Sequence, residues 1–237
     1  MNAIEFEPIG VIHSGYKEKF GIPRQPGLVH SITATLELLP PYGSREAVRG
    51  LEMASHIWLL FLFSECVGKG WKPTVRPPRL GGNQRLGVFA TRSPFRPNPI
   101  GLSPVRLEAI RFERDRVLLD ISGADLLDQT PVFDIKPYLP YSDRIDAASF
   151  ELAEQIELLD LPVLFRPDAG RFCEEYSRQR REPLRRQIEE LLRCDPRPAY
   201  QKQQSGREYG IRLHDLNIRW RMTPEQIEVL EIIPTGD

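Results

Sequence analysis

Short apolar segments separated by turn residues, with no helix-length pattern between them, fill the first 150 residues of the chain. That spacing argues against a doubly wound α/β sheet, whose parallel strands need helical crossovers. Segments 6–12, 86–90, 105–112, 117–121 and 132–135 read as strands. Ile32, Ala34, Leu36 and Leu38 alternate with Thr33, Thr35 and Glu37, the two-residue period of a half-buried strand. The run 57–63 is apolar throughout and reads as a strand buried on both faces. Ser44 reads as the cap of a short helix through Val48, with Glu46 in its first turn. Short strands at this spacing predict a closed or nearly closed β-barrel.

The texture changes at Pro167. Segments 169–179 and 184–193 look helical, with Phe172, Tyr176, Ile188, Leu191 and Leu192 at helical spacings and Pro183 breaking the pair. Tyr209, Ile211 and Leu213, then Ile218, Trp220 and Met222, alternate with polar residues, and 227–233 reads as a closing strand. The predicted fold class is mainly β: a barrel domain over 1–150, a linker over 151–164, and a small α+β domain over 165–237.

A composition of 41 % hydrophobic and 27 % charged residues is that of an ordinary globular protein. The longest apolar run, 57–63, is far too short to span a membrane. The N-terminus carries acid where a signal peptide needs base, and three scattered cysteines imply free thiols, so a cytoplasmic location is expected. The net charge of −1 conceals a strong asymmetry. Between 66 and 106 lie Lys69, Lys72, Arg76, Arg79, Arg85, Arg92, Arg96 and Arg106 with no acid, whereas the segment 107–160 is strongly acidic. A local basic patch sets the field a polyanion meets, unless the acidic segment folds back to balance it.

Common catalytic signatures are missing. There is no glycine-rich dinucleotide or phosphate loop, and the sequence around Ser103 is no nucleophile elbow because Pro104 follows the serine. The four histidines lack ligand spacing, so no metal site is expected. Three polar constellations remain. Pro23-Arg24-Gln25-Pro26-Gly27 and the stretch 90–101, which holds Arg92, Arg96 and Asn98, are loops stiffened by proline. The third runs from Asp125 through Asp128 and Thr130 to Asp134, Lys136 and Tyr138; Asp134 and Lys136 share one strand face.

Together these stretches resemble the TrmO (TsaA-like) family of tRNA adenosine N6-methyltransferases. The resemblance is carried by Tyr16-Lys-Glu-Lys-Phe20, Pro23-Arg-Gln-Pro-Gly27, Arg49-Gly-Leu-Glu52, Trp71 with the proline-rich segment 73–82, 87–93, and Phe95-Arg-Pro-Asn-Pro-Ile-Gly101. Asp134-Ile-Lys-Pro-Tyr-Leu-Pro140, Asp195-Pro-Arg-Pro-Ala-Tyr200 and His214-Asp215 continue it. The resemblance implies a β-barrel methyltransferase, a homodimer that uses S-adenosylmethionine as cofactor. The implied substrate is N6-threonylcarbamoyladenosine beside the anticodon of threonine tRNA.

Carried over by position, cofactor contacts fall at Pro23, Arg24, Gln25, Ser64, Glu65, Arg92, Leu102, Asp125, Leu126, Leu127 and Asp128. Asp128, Asp134 and Tyr138 are the candidates for withdrawing the N6 proton, with Asn98 or Lys136 holding the modified base. Lys69, Trp71, Lys72, Arg76 and Arg79 are expected to meet the anticodon loop through phosphates and stacking, and Arg212, Arg219 and Arg221 to add charge from the second domain. One position departs from the family turn, which reads Asp-Gly-Thr-Pro: here Gln129 replaces the glycine. The competing readings are a non-enzymatic RNA-binding barrel and a methyltransferase for another base or a small molecule.

Overall fold

A computed structural model of the chain describes residues 4–77, 84–151, 158–197 and 206–236. Eight strands occupy the N-terminal part: β1 (Gly10–Ser14), β2 (Thr33–Leu38), β3 (His56–Leu62), β4 (Thr74–Val75), β5 (Leu86–Gly87), β6 (Ile100–Glu113), β7 (Arg116–Ser122) and β8 (Pro131–Pro137). Six of them close into an antiparallel barrel in the order β1-β2-β7-β6-β3-β8, with β8 returning to β1 through Gly10 opposite Val132. Closure leaves no unpaired edge. Inward residues fill it: Ile12, Leu36, Leu59, Leu119, Ile121 and Val132 are wholly buried.

The structure corrects several sequence expectations here. β3 is buried on one face only. Ile57, Leu59 and Phe61 point into the barrel, while Trp58, Leu60 and Leu62 stand on its outside, partly exposed. Segment 86–90 holds two residues of strand and then turns as a 3-10 helix over Val88–Ala90. Ser44 does accept the Ala47 amide at 3.2 Å, but the chain there forms turns and no α-helix. The strand foreseen over 105–112 begins five residues earlier. As β6, it pairs β3 with its first half and β7 with its second, bending at an irregularity between Leu107 and Ala109.

After a short α1 (Pro140–Asp143), the C-terminal part comprises β9 (Val163–Phe165), α2 (Pro167–Arg180), α3 (Leu184–Arg193), β10 (Glu208–Leu213), β11 (Leu216–Met222) and β12 (Ile227–Pro234). Its sheet runs β10-β11-β12-β9. β9 begins inside the segment read as linker and pairs in parallel with β12, Val163 opposite Ile227. A three-residue strand has no period to detect, which is why it is silent in the sequence. The helices cover one face of the sheet, and Ile188, Leu192, Trp220 and Val229 form the centre of a second core. Tyr16, Val29 and Ile32, from the segment between β1 and β2, are buried in that second core and not in the barrel. Cys66, Cys173 and Cys194 are unbridged, and burial pushes the Cys194 thiol up to about 11.

Candidate active site

A cleft of about 1810 Å³ opens beside the barrel, walled by the segment after β1, the stretch around β4 and β5, and the proline-rich loop before β6. Chain order separates these elements widely. Arg92 reaches across to donate to the Gln25 side-chain carbonyl at 2.5 Å, tying two of the polar loops together. Arg24, Gln25 and Arg92 all line the cleft. Arg96 serves the loop itself: it donates to the backbone carbonyls of Thr91 (2.7 Å) and Val88 (3.3 Å), and its guanidinium lies 5.6 Å from the Phe89 ring. Asn98 is exposed, with its own carbonyl accepting the Ile100 amide in a tight turn. The loop ends at Gly101, where a Cβ would sit 2.2 Å from the Phe61 ring, so only glycine lets β6 pass that aromatic.

The third constellation arrives from between β7 and β8. Asp125 accepts the Ser103 hydroxyl at 2.7 Å. Burial raises its carboxyl above the ordinary carboxylate range, while the Ser103 hydrogen bond and the Arg92 charge pull the other way. Gln25 and Arg92 are thus hydrogen-bonded, and Asp125, on a third loop, feels the Arg92 charge. Carboxylates shifted by burial in this way gather at functional sites. Leu126 is buried in the barrel core, and its carbonyl accepts the Ser14 hydroxyl; Leu127 accepts the Thr130 hydroxyl through its carbonyl. Ser64 and Glu65 form an exposed turn at the end of β3, where Glu65 lies 3.9 Å from Lys19 of the β1–β2 segment.

The structure does not bring Asp128 to this group. One of its oxygens accepts the Ser14 amide at 2.9 Å and the other the Lys17 ammonium at 2.7 Å, so both are used in closing the turn. Gln129 beside it adopts a φ of 63°, the left-handed conformation that the family glycine would take without strain.

Asp134 and Lys136 do share a face, the outside of the barrel, and form an ion pair at 2.7 Å. Asp134 stands opposite Leu60 on β3, and Leu60 stands opposite Leu102 on β6. One strand thus separates Asp134 from Leu102, on the order of 10 Å at the usual strand spacing. Leu102 points outward and is 53 % exposed. Tyr138 packs on Trp58, with ring centroids 5.6 Å apart, and its amide donates to the His56 carbonyl. Trp58 itself borders the cleft and donates its indole N–H to Asp143 at 2.9 Å.

Lys69, Trp71, Lys72 and Arg76 line the cleft; Arg79 lies outside the described residues. Phe89, Phe95 and Arg85 join them, three residues that sequence reasoning passed over for this role. Phe89 sits in the segment 86–90 read as strand, yet the turn at Val88–Ala90 leaves it 73 % exposed. Among the described residues, acids of 107–160 pair with cations away from the cleft, as Asp120 and Glu113 do with Arg111, Glu108 with Arg106 and Asp128 with Lys17. Lys69, Lys72, Arg76 and Arg85 make no ion pair there, so the cleft keeps its positive charge.

The C-terminal arginines behave differently. Arg219 pairs with Glu208 and Glu231, and Arg221 with Glu228, so those two cations of the sheet face are offset, while Arg212 on β10 is exposed. Among the described residues no cluster of three or more His, Cys, Asp or Glu could hold a metal ion, and no helix is long and apolar enough to cross a membrane.

Known proteins share this architecture. Residues 11–144 match the family model for the tRNA-methyltransferase O N-terminal domain, and residues 159–235 match that for the TrmO C-terminal domain. The chain is 49 % identical over 236 residues to the tRNA (adenine(37)-N6)-methyltransferase of Escherichia coli strain K12, covering 99 % of this chain and 100 % of that protein. It is 50 % identical over 226 residues to a Pseudomonas aeruginosa protein named "Putative S-adenosylmethionine-dependent methyltransferase RcsF", covering 95 % and 96 %. The crystal structure of TrmO from Pseudomonas aeruginosa superposes with a TM-score of 0.80 at 43 % identity, covering 98 % of this chain and 100 % of that one.

Proposed function

The chain belongs to the tRNA-methyltransferase O family and is an S-adenosylmethionine-dependent tRNA (adenine-N6) methyltransferase; we propose that it acts on adenosine 37 already carrying an N6-threonylcarbamoyl group, in threonine tRNA. The observation that carries this reading is the Gln25–Arg92 hydrogen bond on the wall of a basic, aromatic-lined cleft, with the buried Asp125 carboxylate near enough to feel the Arg92 charge. The donor set suits the cofactor. Arg92 is a planar cation able to take a carboxylate, Asp125 an anion able to take an ammonium or ribose hydroxyls, Gln25 an amide, and exposed Leu102 an apolar surface. Arg24, Pro23 and the backbone of 125–128 complete the proposed cofactor shell, with Ser64 and Glu65 at its rim. When bound, S-adenosylmethionine supplies an electrophilic methyl group.

The residues of the chain then position the nucleophile. The N6 of a threonylcarbamoyladenosine is urea-like, weakly nucleophilic and somewhat acidic, so an acceptor for its proton aids transfer. Of the three candidates, Asp134 suits that role best. Its oxygens are held by the adjacent Ile135 amide and Lys136, but its side chain is 44 % exposed on the barrel wall, one strand from Leu102. That of Asp128 is 19 % exposed and is tied into the turn by Ser14 and Lys17. Lys136, held at Asp134, and Asn98 are placed to orient the base, and Tyr138 with Trp58 offers a stacking surface. Lys69, Lys72, Arg76 and Arg85 meet phosphates, and Trp71, Phe89 and Phe95 receive unpaired bases. The outward apolar row of Trp58, Leu60, Leu62, Ile100 and Leu102 is the face we assign to a homodimer contact.

Methyl incorporation from labelled S-adenosylmethionine tests the reading. Threonine tRNA bearing the threonylcarbamoyl group is expected to be methylated and the same tRNA lacking it is not; equal labelling of both overturns the substrate. Asp134→Asn is expected to lower kcat by about 100-fold or more with tRNA affinity unchanged, the usual worth of a general base.

A further inference from the structure

The segment that carries Pro23, Arg24 and Gln25 is covalently part of the barrel, running between β1 and β2, yet the C-terminal unit holds most of it. Tyr16 bridges to Leu213 of β10, and the Gly15 carbonyl accepts the His214 amide at 2.7 Å. The Arg212 amide donates to Glu18 at 2.9 Å. Gly21 lies so close to Ile211 that a Cβ would sit 2.7 Å from its side chain. Arg24 itself donates to the Arg197 carbonyl at 3.3 Å, and the Arg197 guanidinium is in turn buried against Asp195.

The far end of the segment is closed by one side chain. A single oxygen of Glu190, on α3, accepts the His30 amide, the Ser31 amide and the Ser31 hydroxyl, each at 2.9 Å. Its other oxygen accepts Arg186 at 2.7 Å. Burial alone would raise this carboxyl, but those donors hold it below the ordinary range, so it is a carboxylate throughout the neutral region. Neighbouring Gln187, fully buried, donates to the Ser31 carbonyl at 3.1 Å.

From this geometry we infer that Glu190 is a positioning residue for S-adenosylmethionine: α3 fixes the return of the β1–β2 segment at His30 and Ser31, and thereby the place of Arg24 and Gln25 in the cleft. The C-terminal unit is then half of the cofactor site's framework, whatever it adds toward RNA. The inference rests on the proposed cofactor role of residues 23–25. Glu190 touches neither cofactor nor substrate, and its action passes through the backbone of the segment.

Calorimetric titration of the full-length protein with S-adenosylmethionine, alongside steady-state kinetics, tests it. Glu190→Ala is expected to weaken cofactor binding about tenfold and raise the cofactor KM in step, with the tRNA KM moving less than about twofold. Glu190→Gln, which keeps an acceptor oxygen for the three donors, is expected to restore binding to within about twofold. Should Glu190→Ala fail to fold, Ser31→Ala, which deletes one of the three bonds, is expected to give a two- to threefold loss of cofactor affinity. Unchanged cofactor affinity in the folded Glu190→Ala protein, or in Ser31→Ala where that variant stands in for it, overturns the inference, as does an equal rise in both KM values. Gln25→Ala separates the two levels. If it too leaves cofactor affinity unchanged, the reading of residues 23–25 fails; if it weakens binding while Glu190→Ala does not, only the positioning role falls.

Discussion

At the scale of single residues, Gln129 shows how a substitution can be tolerated at a measurable cost. Its φ of 63° is imposed by the turn that lets Asp128 take both the Ser14 amide and the Lys17 ammonium. A non-glycine residue in that region costs roughly 1–2 kcal/mol, offset in part by the smaller unfolded-state freedom of glutamine relative to glycine. The side chain recovers little, since its contact to His13 is exposed and 3.3 Å long. Gln129→Gly is therefore expected to stabilise the protein by about 0.5–1 kcal/mol, read as a higher urea midpoint at constant slope. The sequence raised this position only by its departure from a family turn, and the backbone angle supplies the physical reason.

Among elements, the turn joining β10 to β11 carries a histidine that makes stability depend on pH near neutrality. His214 donates from Nε2 to the Gln187 side-chain carbonyl at 3.0 Å, and burial lowers its pKa despite the raising influence of Glu182 and Asp215; Lys17 and Arg180 lower it further. A histidine depressed in the folded state binds its proton more readily when unfolded. Its contribution is complete above about pH 6.5 and is lost as pH falls through the lower folded value. Chemical denaturation between pH 7 and 5 is expected to show stability falling on acidification. His214→Ala should flatten that slope and cost about 1–3 kcal/mol at neutral pH by leaving the buried Gln187 side-chain carbonyl without its donor.

Elements also show what the sequence could express. The alternation in β2, β10 and β11 is legible because each strand has one dry face, and the helices α2 and α3 carry their period openly. β9 and the outward row of β3 were not legible. The first is too short to have a period, and the second is apolar on both faces although the barrel fills only one. The polar loops were recognisable as stiff donors, whereas their convergence depends on barrel closure, which no local pattern records. Glu190 had no signal at all: on a charged helix face, a carboxylate that caps a distant loop looks like any solvated one.

For the whole molecule, charge is divided between a cleft that keeps it and a sheet that cancels it. If Lys69, Lys72, Arg76 and Arg85 each neutralise one phosphate of a single-stranded loop, the logarithm of tRNA affinity should fall with the logarithm of salt at a slope of about −3. Filter binding across a salt series checks this. Charge reversal at Arg76 should shallow the slope, and Arg219→Lys, which keeps the charge that Glu208 and Glu231 already offset, should leave it unchanged. A flat salt dependence would remove the cleft from tRNA binding.

The burial of Tyr16, Val29 and Ile32 in the second core means that the boundary drawn by chain order and the boundary drawn by packing do not coincide. A cut after the barrel strands severs one covalent link but strips a continuous apolar surface from the segment left behind. Exchange of C-terminal units between relatives therefore has to carry the β1–β2 segment with it, or re-match the two surfaces residue by residue. The module that can be traded intact is discontinuous in sequence.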